Sequence, residues 1–314
     1  MVDIGDLKSP RRKSVWVRVP PSALVSSMDY QYGPKVTTLP LGFVPYQQWP
    51  EYGFEFDAAP GLRSKKVGTH PTGARRSIGP LCVEEYVSDI EPDLSQSDTD
   101  HSAPGRMVVW RRLVRTDKPK GWHVFSKRPS RVEGFLEIAS TGEYWKSWSK
   151  IARHERTLWR AHMSEGSYAI KEISWEDFSA GYTHSTVAQK IGLDLLNATG
   201  KKWSARPEHI TFWGAYNTQK NILIAGIATV QSPQHEGSYY QCGFMTAHAS
   251  ETFAMIGLID HWCTFAQEKN LRFLQLGRFW TRGESSTWKG FSLFKSKFRP
   301  AMIAYPPVLL RFKR

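Results

Sequence analysis

The sequence predicts an α+β protein, a mixed sheet flanked by helices, and three observations predict it. Short runs rich in β-branched and aromatic residues, at 210–216, 222–231 and 272–279, are bounded by polar turn residues. The intervening segment 250–270 instead repeats its apolar residues with a helical period. The 314 residues are 40% hydrophobic and 13% aromatic, enough for one large or two small cores.

Residues 1–27 hold five Lys and Arg, three prolines and no periodicity, which predicts a flexible basic extension. Within it, Val17, Arg18, Val19 and Pro20 can be written GTT-CGA-GTC-CCN, which contains the GTTCGANTCC pattern of a transfer-RNA T arm. A start placed inside an RNA gene would create such a segment, and Met28 is then the expected beginning; an ordinary basic tail is the alternative. Residues 28–76 read as an irregular front segment, with Pro, Gly and aromatics alternating over 33–56. Residues 77–105 carry seven acids and no Lys or Arg, an acidic linker that could fold back on the basic C-terminal region. Residues 106–314 form the main domain, and 30–138 leave open whether a second lobe is completed.

Within the main domain, 107–113 and 121–126 read as two strands of a hairpin around the turn 116–121. Trp145, Trp148, Ala152, Leu158 and Trp159 follow helical spacing, with Lys150, Arg153 and Arg156 on another face. A strand at 168–173 precedes Ser174, a helix cap ahead of Glu176 and Asp177. A helix over 185–197 leads into the hairpin 210–216 and 222–231, then a strand at 238–245. The helix 250–270 is apolar round most of its circumference, so it packs against a sheet, and the strand 272–279 follows at once. Ser285 or Ser286 caps a last helix to Phe298, and 301–312 is one extended run broken by Pro306 and Pro307.

Composition narrows the function. Cys82, Cys242 and Cys263 share no metal-type spacing, so neither a zinc ribbon nor a disulfide scaffold is expected. The longest apolar run, 222–230, is half the length of a membrane span, and the basic start lacks the apolar segment of a secretory signal, so a cytoplasmic address is expected. Net charge is +13, and 272–314 contributes ten Lys and Arg against one acid, Glu284. That end attracts anions.

On the last helix, with Trp288 at 0° and about 100° per residue, Phe291, Phe294 and Phe298 fall between about 240° and 300°. Lys295, at about 340°, sits on the edge of this seam, while Lys289 and Lys297 point away. A lysine held there snorkels, or offers a poorly solvated cation to a phosphate or developing oxyanion.

The runs 258–262 (LIDHW), 266–270 (AQEKN), 273–277 (FLQLG) and 290–298 (GFSLFKSKF) resemble the C-terminal half of FemAB-type transferases, which have a GNAT-like acyltransferase fold. Upstream, 148–156 (WSKIARHER) is similar to the family's Lys- and Arg-bearing helix, and the likeness covers about residues 143–312. Two positions depart: Gln275 replaces a strand acid and Arg278 a second glycine. Nor does 246–253 carry the Arg/Gln-x-x-Gly-x-Gly/Ala loop of coenzyme-A-dependent GNAT enzymes.

The resemblance implies transfer of an acyl or aminoacyl group to an amine acceptor, from aminoacyl-tRNA or acyl-coenzyme A, with no permanently bound cofactor and no metal. In these terms Lys295 is the carbonyl polariser or phosphate contact, and Arg153, Arg156 and Arg278 are docking cations. Trp213, Tyr239 and Tyr240 are strand residues that could line a substrate groove. Asp260 and His261 fall on a narrow polar strip, expected to be solvated rather than a proton relay. His184 and Ser185 match a family-like turn, with Ser185 equally suited to capping a helix, and Cys263 belongs to the core. Two other functions remain on the same fold, a non-catalytic nucleic-acid-binding module and an inactive scaffold.

Overall fold

A computed structural model describes residues 39–49, 65–66, 73–78, 81–94, 105–113, 116–138, 142–249, 252–282 and 284–313. The expected basic extension 1–27 and Met28 lie outside the described residues. In chain order the strands and helices are β1 (Lys65–Lys66), β2 (Gly73–Ile78), β3 (Leu81–Ser88), β4 (Gly105–Arg112), β5 (His123–Val124), β6 (Val132–Glu137), α1 (Lys150–Ser164) and β7 (Tyr168–Glu172). There follow α2 (Trp175–Thr183), α3 (Thr186–Ile191), α4 (Asp194–Ala205), β8 (Ile210–Asn217), β9 (Ile222–Ser232), β10 (Gly237–Met245), α5 (Ala254–Glu268), β11 (Phe273–Phe279), α6 (Lys289–Ser296), β12 (Ala301–Ala304) and β13 (Leu309–Lys313).

Two sheets result, one in the order β1-β2-β3-β4-β13-β5 and the other β12-β6-β11-β10-β9-β8-β7. The α+β expectation holds, with helices on both faces of the larger sheet. On one face α1 and α5 pack together with Trp148, Trp159, Leu258 and Trp262. On the other, α2, α3 and α4 bury Phe178, Tyr182, Val187 and Leu196 beside Phe43, Tyr46 and Trp49 of the front segment. The all-round apolar α5 is explained by sheet on one side and α1 on the other. Gly257 lets α1 approach, since a Cβ there would lie 2.1 Å from Trp159 Nε1.

Several local expectations are corrected. The predicted linker 77–105 contains β3, antiparallel to β2 and parallel to β4. Its acids do not forbid burial, because Glu84 pairs with Arg106 and Glu85 with Arg111, both on the neighbouring strand. The predicted hairpin of 107–113 with 121–126 does not form: β13 lies between β4 and β5 and pairs with both. Pro306 and Pro307 accordingly mark a transfer between sheets, β12 pairing with β6 in one and β13 with β4 in the other.

The helices shift for reasons written in their caps. Ser149 accepts from the Ala152 amide at 3.2 Å, so α1 starts at Lys150 and Trp145 belongs to a preceding 3-10 turn. Gly192, at φ +76°, ends α3, so the expected helix 185–197 is two helices, and α4 runs on to Ala205.

Candidate functional site

The two central strands of the larger sheet part company. β10 and β11 run parallel, yet they pair only over Gly237–Tyr239 and Phe273–Gln275. Beyond that point each strand slips register against its outer neighbour, between Tyr240 and Cys242 and between Gln275 and Gly277. Gly277 turns at φ +71°, and a Cβ there would come within 2.8 Å of Tyr239 Oη. The divergence leaves a cavity of about 500 Å³. Side chains from both faces line it, Tyr239 and Cys242 from one core, Tyr240 and Phe279 from the other.

Two helices wall this cavity in the same way. Leu195, Ala198 and Lys202 of α4 lie along one helical face at the site, as do Phe291 and Lys295 of α6 with Trp288 just before it. Each apolar stripe therefore ends on a lysine. Lys202 is buried, donates to Tyr46 Oη at 3.1 Å and to Gln241 Oε1 at 3.3 Å, and sits 5.1 Å from the Tyr46 ring. Lys295 donates to the Arg278 carbonyl at 3.3 Å and lies over the rings of Tyr240 and Phe279, at 5.3 and 5.7 Å.

Lys295 makes no ion pair among the described residues, and its aromatic surroundings replace water with weaker partners. Part of its surface stays open through the cavity, but burial of the ammonium pulls its pKa down to about 8. Arg131 adds to this, and Glu133 opposes it. A cation so placed gains most from an oxyanion or polarised carbonyl brought into the cavity. Arg131, Lys202, Arg278 and Lys295 outnumber the lining acids Asp194 and Glu284.

The front segment supplies one wall. Tyr46 stacks on Tyr239 with centroids 3.8 Å apart and planes 16° from parallel. Gln275, on β11, accepts from the Tyr46 amide at 2.9 Å and donates to the Val44 carbonyl at 2.8 Å. Next to it Gln47 donates to Glu133 at 2.8 Å, a carboxylate that Tyr305 also reaches at 3.1 Å.

The structure brings together four of the seven residues singled out from sequence: Lys295, Arg278, Tyr239 and Tyr240 all line the cavity. Arg278 is at its more exposed side and pairs with Glu284. The other three sit elsewhere. Arg153 is exposed on α1, and Arg156 is buried in an ion pair with Asp260 at 2.5 Å. Trp213 packs in the core against His261 and Phe265, at 4.5 and 5.3 Å. The expected solvated strip on α5 is likewise corrected: Asp260 is buried and bound by Arg156, Arg160 and Tyr144, because α1 covers that side of the helix. Burial lowers the His261 pKa. Ser185 caps α3, accepting from the Ala188 amide at 3.1 Å, and Cys263 is fully buried in the core.

Lys202, Arg131, Tyr46 and Gln241 were missed. The Leu195, Ala198, Lys202 spacing of three and four carried a signal for the first of these, but it falls beyond the residue where the sequence pattern ended the helix. Tyr46 had none, since its place depends on contacts 156 to 229 residues away in the chain.

Among the described residues no helix is long and apolar enough to cross a membrane, and no group of three or more His, Cys, Asp or Glu could hold a metal ion. No family model matches the chain, and no curated protein matches it in sequence. Solved structures do match in fold. FemX aligns at 10% identity over 83% of this chain and 90% of its own, with a TM-score of 0.56. A conserved protein of unknown function from Bacteroides thetaiotaomicron VPI-5482 aligns at 11% identity over 84% and 90%, TM-score 0.54. L-PGS from Bacillus licheniformis aligns at 11% identity over 80% and 83%, TM-score 0.50. The mixed sheet parted between β10 and β11, flanked by helices on both faces, is thus the fold of FemX.

Proposed function

We propose that this chain transfers an acyl or aminoacyl group to an amine, with Lys295 polarising the reacting carbonyl. The observation that carries the reading is the Lys295 ammonium, set over two aromatic rings in the cavity where β10 and β11 separate. The fold shared with FemX and the FemAB-like motifs support it.

The chemistry needs positioning more than a dedicated nucleophile. The amine nitrogen attacks the acyl carbon, and the oxyanion that forms takes the hydrogen bond of Lys295. Collapse breaks the ester or thioester bond, and the proton lost by the amine ends on the leaving oxygen or sulfur. The paired apolar stripes fit an apolar acyl group, with its carbonyl end toward the lysines. Aminoacyl-tRNA and acyl-coenzyme A both meet this description of a donor, and a cytoplasmic setting supplies both. The exposed Arg282 stands between the lining residues Trp280 and Glu284 in the chain and offers a positive charge beside the cavity, where a donor's phosphates would lie, whereas the charge of Arg278 is balanced by Glu284.

Purified protein should move a labelled acyl group from one of these donors to an amine within a panel of acceptors, and Lys295→Met should lower the rate at least about a hundredfold. No transfer across the panel, or an unimpaired variant, refutes the proposal. Nucleic-acid binding with a steep salt slope and no transfer would instead favour the binding module.

A further inference from the structure

We propose that Lys295 is also an acylation site: its amine takes the acyl group of an activated ester or thioester seated in the cavity when no acceptor amine is present, and the amide so formed silences the site. The modification stands on the cavity alone; the silencing rests on the acyl-transfer reading.

One placement serves both roles of this lysine. An ammonium that donates to a bound carbonyl oxygen stands about 3–3.5 Å from the carbonyl carbon, the separation of reacting atoms in a near-attack arrangement. Protonated, Lys295 polarises the carbonyl; neutral, the same nitrogen attacks it. Giving up the charge breaks no ion pair among the described residues, because the contacts of the amine are the Arg278 carbonyl and the rings of Tyr240 and Phe279. The amide N–H that results still has a proton for the Arg278 carbonyl. Burial already favours the neutral amine, with Arg131 acting in the same direction and Glu133 against it. The wall around it also carries Asp194 and Lys202 of α4, Tyr239 and Tyr240 of β10, and Arg278 paired to Glu284.

Neighbouring lysines lack this combination. Lys202, at the end of the other stripe, is 4% exposed and spends its protons on Tyr46 Oη and Gln241 Oε1. Lys297, on the same helix as Lys295, is held by Glu155 at 2.7 Å. Beside Lys295 the apolar residues Leu195, Ala198 and Phe291 line the space an acyl chain would occupy. The step needs no other reactant: a C–N bond forms between Lys295 and the acyl carbon, the C–O or C–S bond of the donor breaks, and the amine's proton leaves with the alcohol or thiol. An amide does not pass its acyl group on to a second amine, so the product is an end state and the cavity has lost its cation.

The full chain incubated with p-nitrophenyl butanoate, without acceptor, and mapped by mass spectrometry tests the modification. At pH 7 Lys295 holds about two orders of magnitude more neutral amine than an ordinary lysine, a gain that the weaker nucleophilicity of a less basic amine offsets in part. Its butanoylation should therefore outpace that of the exposed Lys150 at least about tenfold, and level off above about pH 8. Ala198→Phe, which fills the space between the stripes, should slow labelling of Lys295 and not of Lys150. Labelling of Lys295 no faster than that of Lys150, or equally fast in Ala198→Phe, overturns the proposal. For the silencing, transfer activity should fall in step with the fraction of Lys295 acylated, and saturating acceptor should protect it. Activity that survives complete acylation, or a native protein inactive in the donor assay, overturns the silencing, while the labelling pattern separately decides the modification.

Discussion

Lys295 is the residue on which chemistry and stability meet. Its ordinary pKa of 10.5 applies to the unfolded chain, whereas the folded chain holds it at about 8. Between those values the unfolded state binds more protons, so stability rises with pH across that window, and the buried charge destabilises in full below about pH 8. Lys295→Met keeps the apolar stem and removes the charge. Thermal melting at pH 7 should show the variant more stable than the native chain by a few degrees, about what 1 kcal/mol shifts in a domain of this size, with the difference shrinking as pH approaches 10.5. A variant less stable at pH 7 would contradict the buried-cation reading. Catalysis should respond in the opposite sense. A rate that needs the protonated amine falls as pH rises through about 8, and pH–rate profiles with an acceptor that is already deprotonated there would expose that limb. The sequence placed this lysine at the edge of an apolar seam by periodicity alone, which was legible because one short helix decides it. Its partners, the rings of Tyr240 and Phe279 and the Arg278 carbonyl, come from two other strands and were not.

At the scale of elements, α1 and α5 are held by a buried charge cluster rather than by apolar contact alone. Asp260 receives Arg156 and Arg160 of α1 at 2.5 and 2.9 Å, and Tyr144 at 2.7 Å. Asp260→Asn leaves the buried Arg156 without its counter-charge, and denaturant unfolding should show a loss of about 3–5 kcal/mol. A loss under about 1 kcal/mol would mean that water reaches Arg156. The divergence of β10 and β11 has its own test at Gly277. Gly277→Ala imposes a left-handed backbone on a side chain and drives a methyl into Tyr239 Oη, so it should destabilise by about 1–2 kcal/mol and weaken ligand binding in the cavity together. The apolar stripes of α5 were read correctly because one pattern runs unbroken there, whereas its polar strip was misread as solvated because α1 covers it. Helix ends were misread where a cap or a glycine cuts the pattern, as Ser149 and Gly192 do, because periodicity reports which face is apolar and not where the backbone leaves the helix.

For the whole molecule, the C-terminal strand ties the sheets together. β12 completes the edge of the larger sheet, and four residues later β13 enters the smaller one between β4 and β5, with Leu309 fully buried beside Trp110 and Trp122. A chain ending after Tyr305 should lose the cooperative unfolding of the smaller sheet, seen as faster hydrogen exchange through β3 and β4. Retention of native protection there would show that β13 is dispensable. The hairpin expected from 107–126 failed for this reason: two strands adjacent in sequence are separated in space by one that arrives from nearly 200 residues further along.

The sequence by itself determined the α+β class, most strands and helices of 168–298, the charge of the C-terminal end and the apolar seam that carries Lys295, because each depends on local period and turn chemistry. Only the tertiary structure decided that β10 and β11 separate, that Lys202 and Tyr46 join Lys295 around one cavity, and that Arg156 and Trp213 belong to the core. Those outcomes depend on contacts between residues distant in the chain, whose closure is governed by packing and hydrogen-bond satisfaction across elements, and no local pattern records them.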